Sequence, residues 1–373
     1  MLSFWEKDTF LEYDALVVGG GLVGLSTAAS LLEAHPHLRV LALERGLLPT
    51  GASTRNAGFA CFGSLTEILS DIERVGQEAM LALIEQRWQG LQALLARLGG
   101  EAIGYLGGYE LLTEAQSPAL AQMEAVNDLL VPLLGQRVFR RQDADIQRFG
   151  FSEQVKTLLF NPLEGQLHTG KMMQRLQHYV QQKGAVLLTG AEVGHLQSNS
   201  HEVEVEVNIP SGKQKTLTFK AKKVFVCTNA FSKQLFPHLD LQPGRGQVLM
   251  TGPIADLPFR GAFHFEEGYY YFRNVGQAVL FGGGRHRAME AESTTEMAVS
   301  DFIMDDLEEK LREVILPHRS FEIQERWAGV MAFNTARKPI IEEVDKGIVL
   351  GLCLNGMGVA IGTEVGARLA DTW

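Results

Sequence analysis

Apolar residues run together twice near the start of the chain. Residues 15–18 (ALVV) and 39–44 (RVLALE) are short apolar runs, and between them LVGLSTAASLLEAH carries apolar residues at helical spacing. Strand, glycine turn, helix, strand is a βαβ unit, and such continuous apolar strands belong to a buried parallel sheet. Residues 65–98 repeat apolar positions every three or four residues and predict one helix. LGGYELLT (106–113) predicts a strand, and SPALAQMEAVNDLLVPLL (117–134) a helix that stops near Pro132. A helix follows from about Gly170 to Gln182, then a glycine stop and a strand VLLTGAEV. HEVEVEVNI (201–209) alternates strictly, the mark of a half-exposed strand. Residues 244–284 are β-rich, residues 301–315 read as an amphipathic helix, and the chain closes with RWAGVMAF, KPIIEEV, GIVLGLCL, NGMG and a last helix.

βαβ-type elements thus sit at the start, in the middle and at the end, with antiparallel patterns between them. The expected fold is α/β. A Rossmann-like nucleotide domain is made discontinuously from residues 1–90, 150–232 and 326–373, and a mainly antiparallel α+β substrate domain from residues 91–149 and 233–325.

The 373 residues carry a net charge of −10 with no basic block, which argues against a nucleic-acid partner. Cys61, Cys227 and Cys353 lie far apart, with no CxxC or Cys/His grouping, so neither a disulfide framework nor a metal site is expected. The amino-terminal residues lack an apolar signal-peptide core, and no run of about 18 apolar residues predicts a membrane span. The expected location is the cytoplasm.

Candidate chemistry begins at VGGGLVG (18–24). Gly19, Gly21 and Gly24 match GxGxxG between a strand and a helix. The first glycine permits the turn, the second lets backbone approach a pyrophosphate, and the third lets helix and strand pack closely. Glu44 ends the second strand, 20 residues after Gly24, where a carboxylate can accept from ribose hydroxyls. The stretch GASTRNAGFA (51–60) follows Glu44 by seven residues. It is too bare for a core strand and too poor in strong helix formers for a surface helix. Small residues let backbone lie flat along a planar ring, Ser53 and Thr54 can donate to phosphate oxygens, and Arg55 can neutralise phosphate or pack beside the ring. An NAD enzyme does not need such a stretch here, whereas a flavin does.

With these motifs the chain resembles the flavoprotein superfamily of D-amino-acid oxidase, glycine oxidase and sarcosine oxidase. The resemblance rests further on GQLHTGKMM (165–173), VFVCTNAFS (224–232), RGQVLM (245–250), YYYFRNVGQAVLFGGG (269–284) and NGMGVAIG (355–362). It implies non-covalent FAD. By this resemblance Gly19, Gly21, Leu22, Val23 and Gly24 hold the pyrophosphate, Glu44 and Arg45 the adenosine, and Val193 the adenine. Ser53, Thr54, Arg55, Asn56, Ala57, Gly58 and Phe59 line the phosphates and the ring. Thr228 and Asn229 replace the usual Thr-Gly of the family. Gly356, Met357, Gly358 and Val359 offer backbone donors to the ring, where N–H groups at a helix start stabilise negative charge.

The departures concern the substrate. Met331 stands where amino-acid-oxidising members place a carboxylate-binding Arg, Ala360 where sarcosine-oxidase-like members place a Lys, and about Gly329 where they place the flavin-linked Cys. Arg273 is the replacement cation expected in the pocket, with Arg285 and Arg337 behind it. Tyr271, among three consecutive tyrosines, is expected in an aromatic pocket wall, and His168 is a candidate catalytic residue. The reaction implied is hydride transfer from a C–H bond beside nitrogen of a small amine or amino acid, with hydrolysis of the imine and oxygen or a carrier as electron acceptor. An FAD-dependent 2-hydroxy-acid dehydrogenase, a non-catalytic flavin-binding subunit and an NAD-dependent dehydrogenase are the alternatives.

Overall fold

A computed structural model describes residues 2–209 and 215–373. The two apolar runs at the start pair in parallel, Glu12–Val18 with Val40–Glu44, register Ala15 to Val40. Thr216–Val226 lies parallel on the other side of the first strand, Val186–Thr189 beside the second, and Ile348–Leu352 beside Thr216–Val226. Most of Glu12–Val18 and Val40–Glu44, all of Ile348–Leu352 and the last residues of Thr216–Val226 are buried on both faces, whereas the edge strand Val186–Thr189 is largely exposed. On one face pack the helices Leu22–Ala34, Thr169–Gln182, Gln77–Leu98 and Gly358–Ala370. On the other, Val203, Val205 and Val207, the inward half of the alternating strand, cover Leu16, Val18 and Leu41. The parallel strands all end at one edge, which is where an open α/β sheet presents its ligand crevice.

A second sheet runs in the order Ile323–Phe333, Gln242–Thr251, Ala278–Gly283, Tyr270–Val275, Ala262–Phe265, Gly108–Leu112, Thr157–Asn161, Arg140–Arg141. Its two faces follow from the period of two. Phe263, Phe265, Tyr270, Phe272, Phe281 and Leu249 point one way into a core roofed by the helix Asp301–Lys310. His264, Tyr271, Arg273 and Val248 point the other way, toward the first sheet. Pairing sets Val248 opposite Gly282, Gly282 opposite Tyr271, and Tyr271 opposite His264, a row across four strands. Thr157–Asn161 and Ile323–Phe333 fall at the edges of segments expected in the nucleotide domain and pair into this second sheet.

Several elements differ from the pattern-based expectation. The helix expected over 65–98 is two, Leu65–Val75 and Gln77–Leu98, broken at Gly76 with φ +86°. The helix expected to stop near Pro132 is a 3-10 segment, Glu114–Gln122, followed by an α-helix, Met123–Leu134, that runs through Pro132 to Gly135. Burial of Leu130 and Leu134 in a shared core holds that last turn against the missing proline N–H. VLLTGAEV is two strands, Val186–Thr189 and Glu192–Ser198, parted at Gly190 with φ +70°. The bare stretch contains one helical turn, Ala52–Arg55, and then a short strand, Phe59–Ala60.

Candidate active site

The glycines of the first turn show why no other residue fits. Gly19 has φ +110°, and a Cβ there would lie 2.7 Å from the Cys227 carbonyl oxygen. A Cβ on Gly24 would lie 1.9 Å from the Gly19 carbonyl oxygen, so helix and strand touch backbone to backbone. Gly21 would meet only Ser53 Oγ, at 3.1 Å, which leaves its outer side free for a ligand. Glu44 holds the turn: Oε2 accepts from Gly20 N at 3.0 Å and Oε1 from Gly46 N at 2.9 Å.

A cavity of about 610 Å³ opens along this turn. At one end lie Glu44, Arg45 and Val193, and Thr228 and Asn229 line its side. The Arg45 guanidinium sits 3.8 Å from the Phe231 ring centre. Asn229 adopts φ +49° and accepts from Cys353 N at 3.1 Å, tying two strand ends together. In the middle lie Gly19, Gly21, Leu22 and Val23. At the far end Gly356, Met357, Gly358 and Val359 open the helix Gly358–Ala370, whose first N–H groups have no helical partner.

The bare stretch is fixed by its own side chains. Ser53 Oγ accepts from Leu22 N at 2.9 Å, capping the nucleotide-side helix. Thr54 turns away from the cavity, and its hydroxyl donates to the Pro49 carbonyl at 2.5 Å. Asn56 Oδ1 accepts from Gly58 N at 2.8 Å. Gly58 has φ +74°, and a Cβ there would lie 2.2 Å from the Leu167 carbonyl oxygen. Arg55 Nη1 donates to the Ala328 carbonyl at 2.8 Å, and Trp327 Nε1 donates to the Arg55 carbonyl at 2.9 Å. These two bonds clamp the second sheet onto the stretch, so Ala57, Gly58 and Phe59 form cavity wall between the two halves.

FAD fits this geometry. A glycine whose open side faces the cavity stands at a helix N-terminus, an acid stands beside it at the strand end, and a second helix start faces the far end.

The far end is aromatic. The Tyr271 ring lies over Gly282, where a Cβ would be 2.7 Å from its Cε2, and burial pushes the phenol up to about 12. Phe59 meets Tyr271 edge-on at 5.6 Å and His264 at 5.0 Å. Tyr270, the neighbour on the strand, is fully buried and donates to Asp306 at 2.7 Å.

The three candidate cations are placed differently. Arg273 lies behind Gly58, outside the cavity lining, with Nη1 donating to Gln166 at 3.2 Å, and burial lowers its guanidinium to about 10. Arg337 lines the cavity but stands half exposed, 3.9 Å from Asp71. Arg285 lines the cavity with its guanidinium 4.2 Å from the Phe333 ring centre, and no acid lies within ion-pair distance of it among the described residues. Burial lowers its pKa, and its Nε has no hydrogen-bond partner. His168 sits outside the lining, exposed, and caps the helix Thr169–Gln182 by accepting from Lys171 N at 3.3 Å.

Two lining residues had no clear signal in the sequence. His264 is a single histidine between two core phenylalanines, and Cys61 ends the bare stretch. The fold brings them together with Glu164. Only the strand register, which places His264 opposite Tyr271, turns that histidine inward.

Comparison with known proteins agrees with this geometry. Among curated proteins, L-2-hydroxyglutarate dehydrogenase of Escherichia coli (strain K12) is 22% identical over 258 residues, 67% of this chain and 53% of the relative. The match thus spans about half the length of that relative. Among solved structures, glycine oxidase from Geobacillus kaustophilus has a TM-score of 0.76 at 19% identity, covering 97% of this chain and 95% of its own. L-proline dehydrogenase from P. horikoshii has a TM-score of 0.76 at 16% identity, with 97% and 93% covered. At such identities the likeness is one of fold. A family model described as FAD dependent oxidoreductase matches residues 14–372, nearly the whole chain. The chain belongs to the FAD dependent oxidoreductase family, and FAD is its cofactor.

Proposed function

We propose that the protein oxidises the C–N bond of a small amino acid or amine that carries a carboxylate, the imine then hydrolysing in water. The observation that carries this reading is Arg285, a partly buried guanidinium with no acid within ion-pair distance among the described residues, facing the same cavity as the dinucleotide turn. A charge partly withdrawn from water without an ion-pair partner carries a cost, and a substrate carboxylate would relieve it.

Bound FAD supplies the hydride acceptor. The chain's own residues bind and orient. Gly21, Leu22 and Val23 hold the pyrophosphate at the helix start, and Glu44 the ribose. Gly358 and Val359 aim N–H groups and the positive end of a helix at the ring. Gly329 carries no side chain to link to the ring, so we place FAD as non-covalent. Tyr271, Phe59 and Phe333 exclude water and leave Arg285 to orient the carboxylate. Arg273, behind Gly58, adds positive potential from below. Three buried free thiols support a cytoplasmic location.

A second reading, oxidation of a 2-hydroxy acid, is favoured by His264 in the cavity wall and by the likeness to L-2-hydroxyglutarate dehydrogenase. A hydroxyl substrate needs a proton acceptor that a neutral amine does not.

The test is an absorbance spectrum of the purified protein, followed by anaerobic addition of amines, D- and L-amino acids, N-methyl amino acids and 2-hydroxy acids. Bleaching by an amino acid supports the first reading, and bleaching by a 2-hydroxy acid alone replaces it with the second. A yellow protein that no compound bleaches makes it a flavin-binding subunit.

A further inference from the structure

In the wall of the flavin cavity, one group of side chains has no part in the proposed amine oxidation. Cys61, Glu164 and His264 each offer one donor atom, and these atoms all lie within 4.8 Å of one another. All three residues are at least nine-tenths buried, exposed by 6%, 2% and 7%. They come from three separate parts of the fold: the end of the bare stretch, the turn before strand Gly165–Leu167, and the middle of strand Ala262–Phe265.

The group is not satisfied by the protein around it. His264 Nε2 has no hydrogen-bond partner, and neither has Glu164 Oε1. His264 Nε2 stands 3.6 Å from Glu164 Oε2, beyond a hydrogen bond. At that distance the two face each other as an ion pair, and the buried atoms His264 Nε2 and Glu164 Oε1 still lack a hydrogen bond, which is costly. Two more carboxylates act on the cluster, the half-buried Glu67 and the buried Glu110, and Arg87 is the guanidinium beside Glu67 at 3.5 Å. Glu110 is held by Leu65 N at 2.9 Å and Thr66 N at 3.2 Å and so is already used. Glu164 is not.

We propose that Cys61, His264 and Glu164 form a binding site for a divalent transition-metal ion, zinc first among them. Thiolate, imidazole and carboxylate are the three ligand types zinc takes, at bonds of about 2.0–2.3 Å. In a tetrahedron of such bonds the ligand atoms stand about 3.3–3.8 Å apart. The His264–Glu164 separation of 3.6 Å already matches, and, with all the donor atoms within 4.8 Å of one another, the rest of the group has at most about 1–1.5 Å to close. Three protein ligands leave a fourth position. Cys61 and His264 line the cavity and Glu164 stands behind them, so that position opens on the cavity, and the ion has a way in. On binding, the Cys61 thiol releases a proton to solvent as the metal–sulfur bond forms, and the cation offsets the surrounding carboxylates.

The experiment uses the full, FAD-loaded, tag-free chain, stripped with a chelator and titrated with zinc chloride by calorimetry. Bound metal is counted by mass spectrometry of the desalted protein. The expected result is one zinc per chain, undisturbed by a thousandfold excess of magnesium. Cys61→Ser and His264→Gln should each weaken binding at least a hundredfold, and Glu164→Gln at least tenfold. A second readout keeps the test sound where a variant does not fold. Zinc should slow maleimide labelling of Cys61 in the wild type tenfold or more, leaving Cys227 and Cys353 unchanged. Substoichiometric zinc, binding unaltered in folded variants, or unprotected Cys61 would overturn the proposal.

Discussion

The two halves of the site are built from different parts of the chain's chemistry. On the side of the parallel sheet, the atoms that face the cofactor are backbone. Gly19, Gly21 and Gly356 line the cavity because side chains do not, Gly24 packs behind them against Gly19, and the binding groups are N–H donors at two helix starts. On the side of the second sheet, the wall is made of side chains: Tyr271 and His264, carried on a register that turns every second residue inward, and Arg285, in the turn that follows the strand Ala278–Gly283. A backbone site tolerates almost no change at its glycines and little depends on what surrounds them. A side-chain site tolerates change in any one residue and is defined by which charges lack partners.

The comparison breaks most sharply at Gly24. Its Cβ would lie 1.9 Å from a backbone oxygen, and neither the helix nor the strand can move without opening the sheet. Gly24→Ala should cost roughly 3 kcal/mol or more and yield protein without bound flavin, read as the ratio of flavin to protein absorbance and by the melting temperature. A variant that keeps its flavin would show that the backbone half is softer than its geometry.

Arg285→Ala is expected to do the opposite. Flavin content should stay near one, because this guanidinium contacts no part of the dinucleotide turn. Affinity for small carboxylates such as acetate, succinate or benzoate, read from perturbation of the flavin spectrum, should fall roughly 10- to 100-fold, the worth of one charge-assisted hydrogen bond in a desolvated site. If Arg273→Met weakens the same ligands more than Arg285→Ala does, the carboxylate lies below Gly58 and not beside Phe333.

What could be read from the sequence divides along the same line. The parallel-sheet half was legible because omission leaves a trace: glycines at fixed spacing after an apolar run, an acid at the next strand end, a bare stretch soon after it. The antiparallel half was legible as strands but not as a site. Three consecutive tyrosines do not reveal that Tyr270 is in the core and Tyr271 in the wall, because their facing depends on the partner strands. Arg273 and Arg285 look alike in one dimension, and only the fold sets one behind Gly58 and the other in the open cavity. Cys61, Glu164 and His264 are some 100 residues apart in sequence at each step, too far for any spacing rule. Helix breaks were missed where one glycine with positive φ outweighs a continuous apolar pattern, as at Gly76.

Arg273 offers a smaller effect with the reverse sign. Arg245 is buried too, but Glu292 takes it through bonds of 2.8 Å to Nε and Nη2. Arg273 has only a neutral amide at 3.2 Å. Burial depresses its guanidinium from 12.5 to about 10, so the folded state disfavours the charge. For a cation with a depressed folded pKa, that penalty is complete below about pH 10 and lifts as pH rises from there toward the unfolded value. Arg273→Met should therefore stabilise the protein at neutral pH by roughly 2 kcal/mol, a rise of a few degrees in Tm, with the gain shrinking above pH 10. A loss of stability at neutral pH would mean that Arg273 has a partner in solution.

Gly76 gives the smallest effect and the control for all the others. It has φ +86°, positive as at Gly19 of the cofactor turn, but it joins the helices Leu65–Val75 and Gln77–Leu98 at the surface, and a Cβ there would meet nothing within 4 Å. Alanine at this position therefore brings no clash, only the cost of a backbone conformation that L-residues avoid, about 1–2 kcal/mol. Gly76→Ala should lower Tm by a few degrees and leave both flavin content and carboxylate affinity unchanged. The contrast with Gly24→Ala separates two reasons for a glycine, since one is required by its dihedral angle and the other by what would occupy the space of its side chain. Equal loss of flavin in both variants would mean that the break between these helices is coupled to the cavity, which Glu67, Ser70 and Asp71 of the first helix also line.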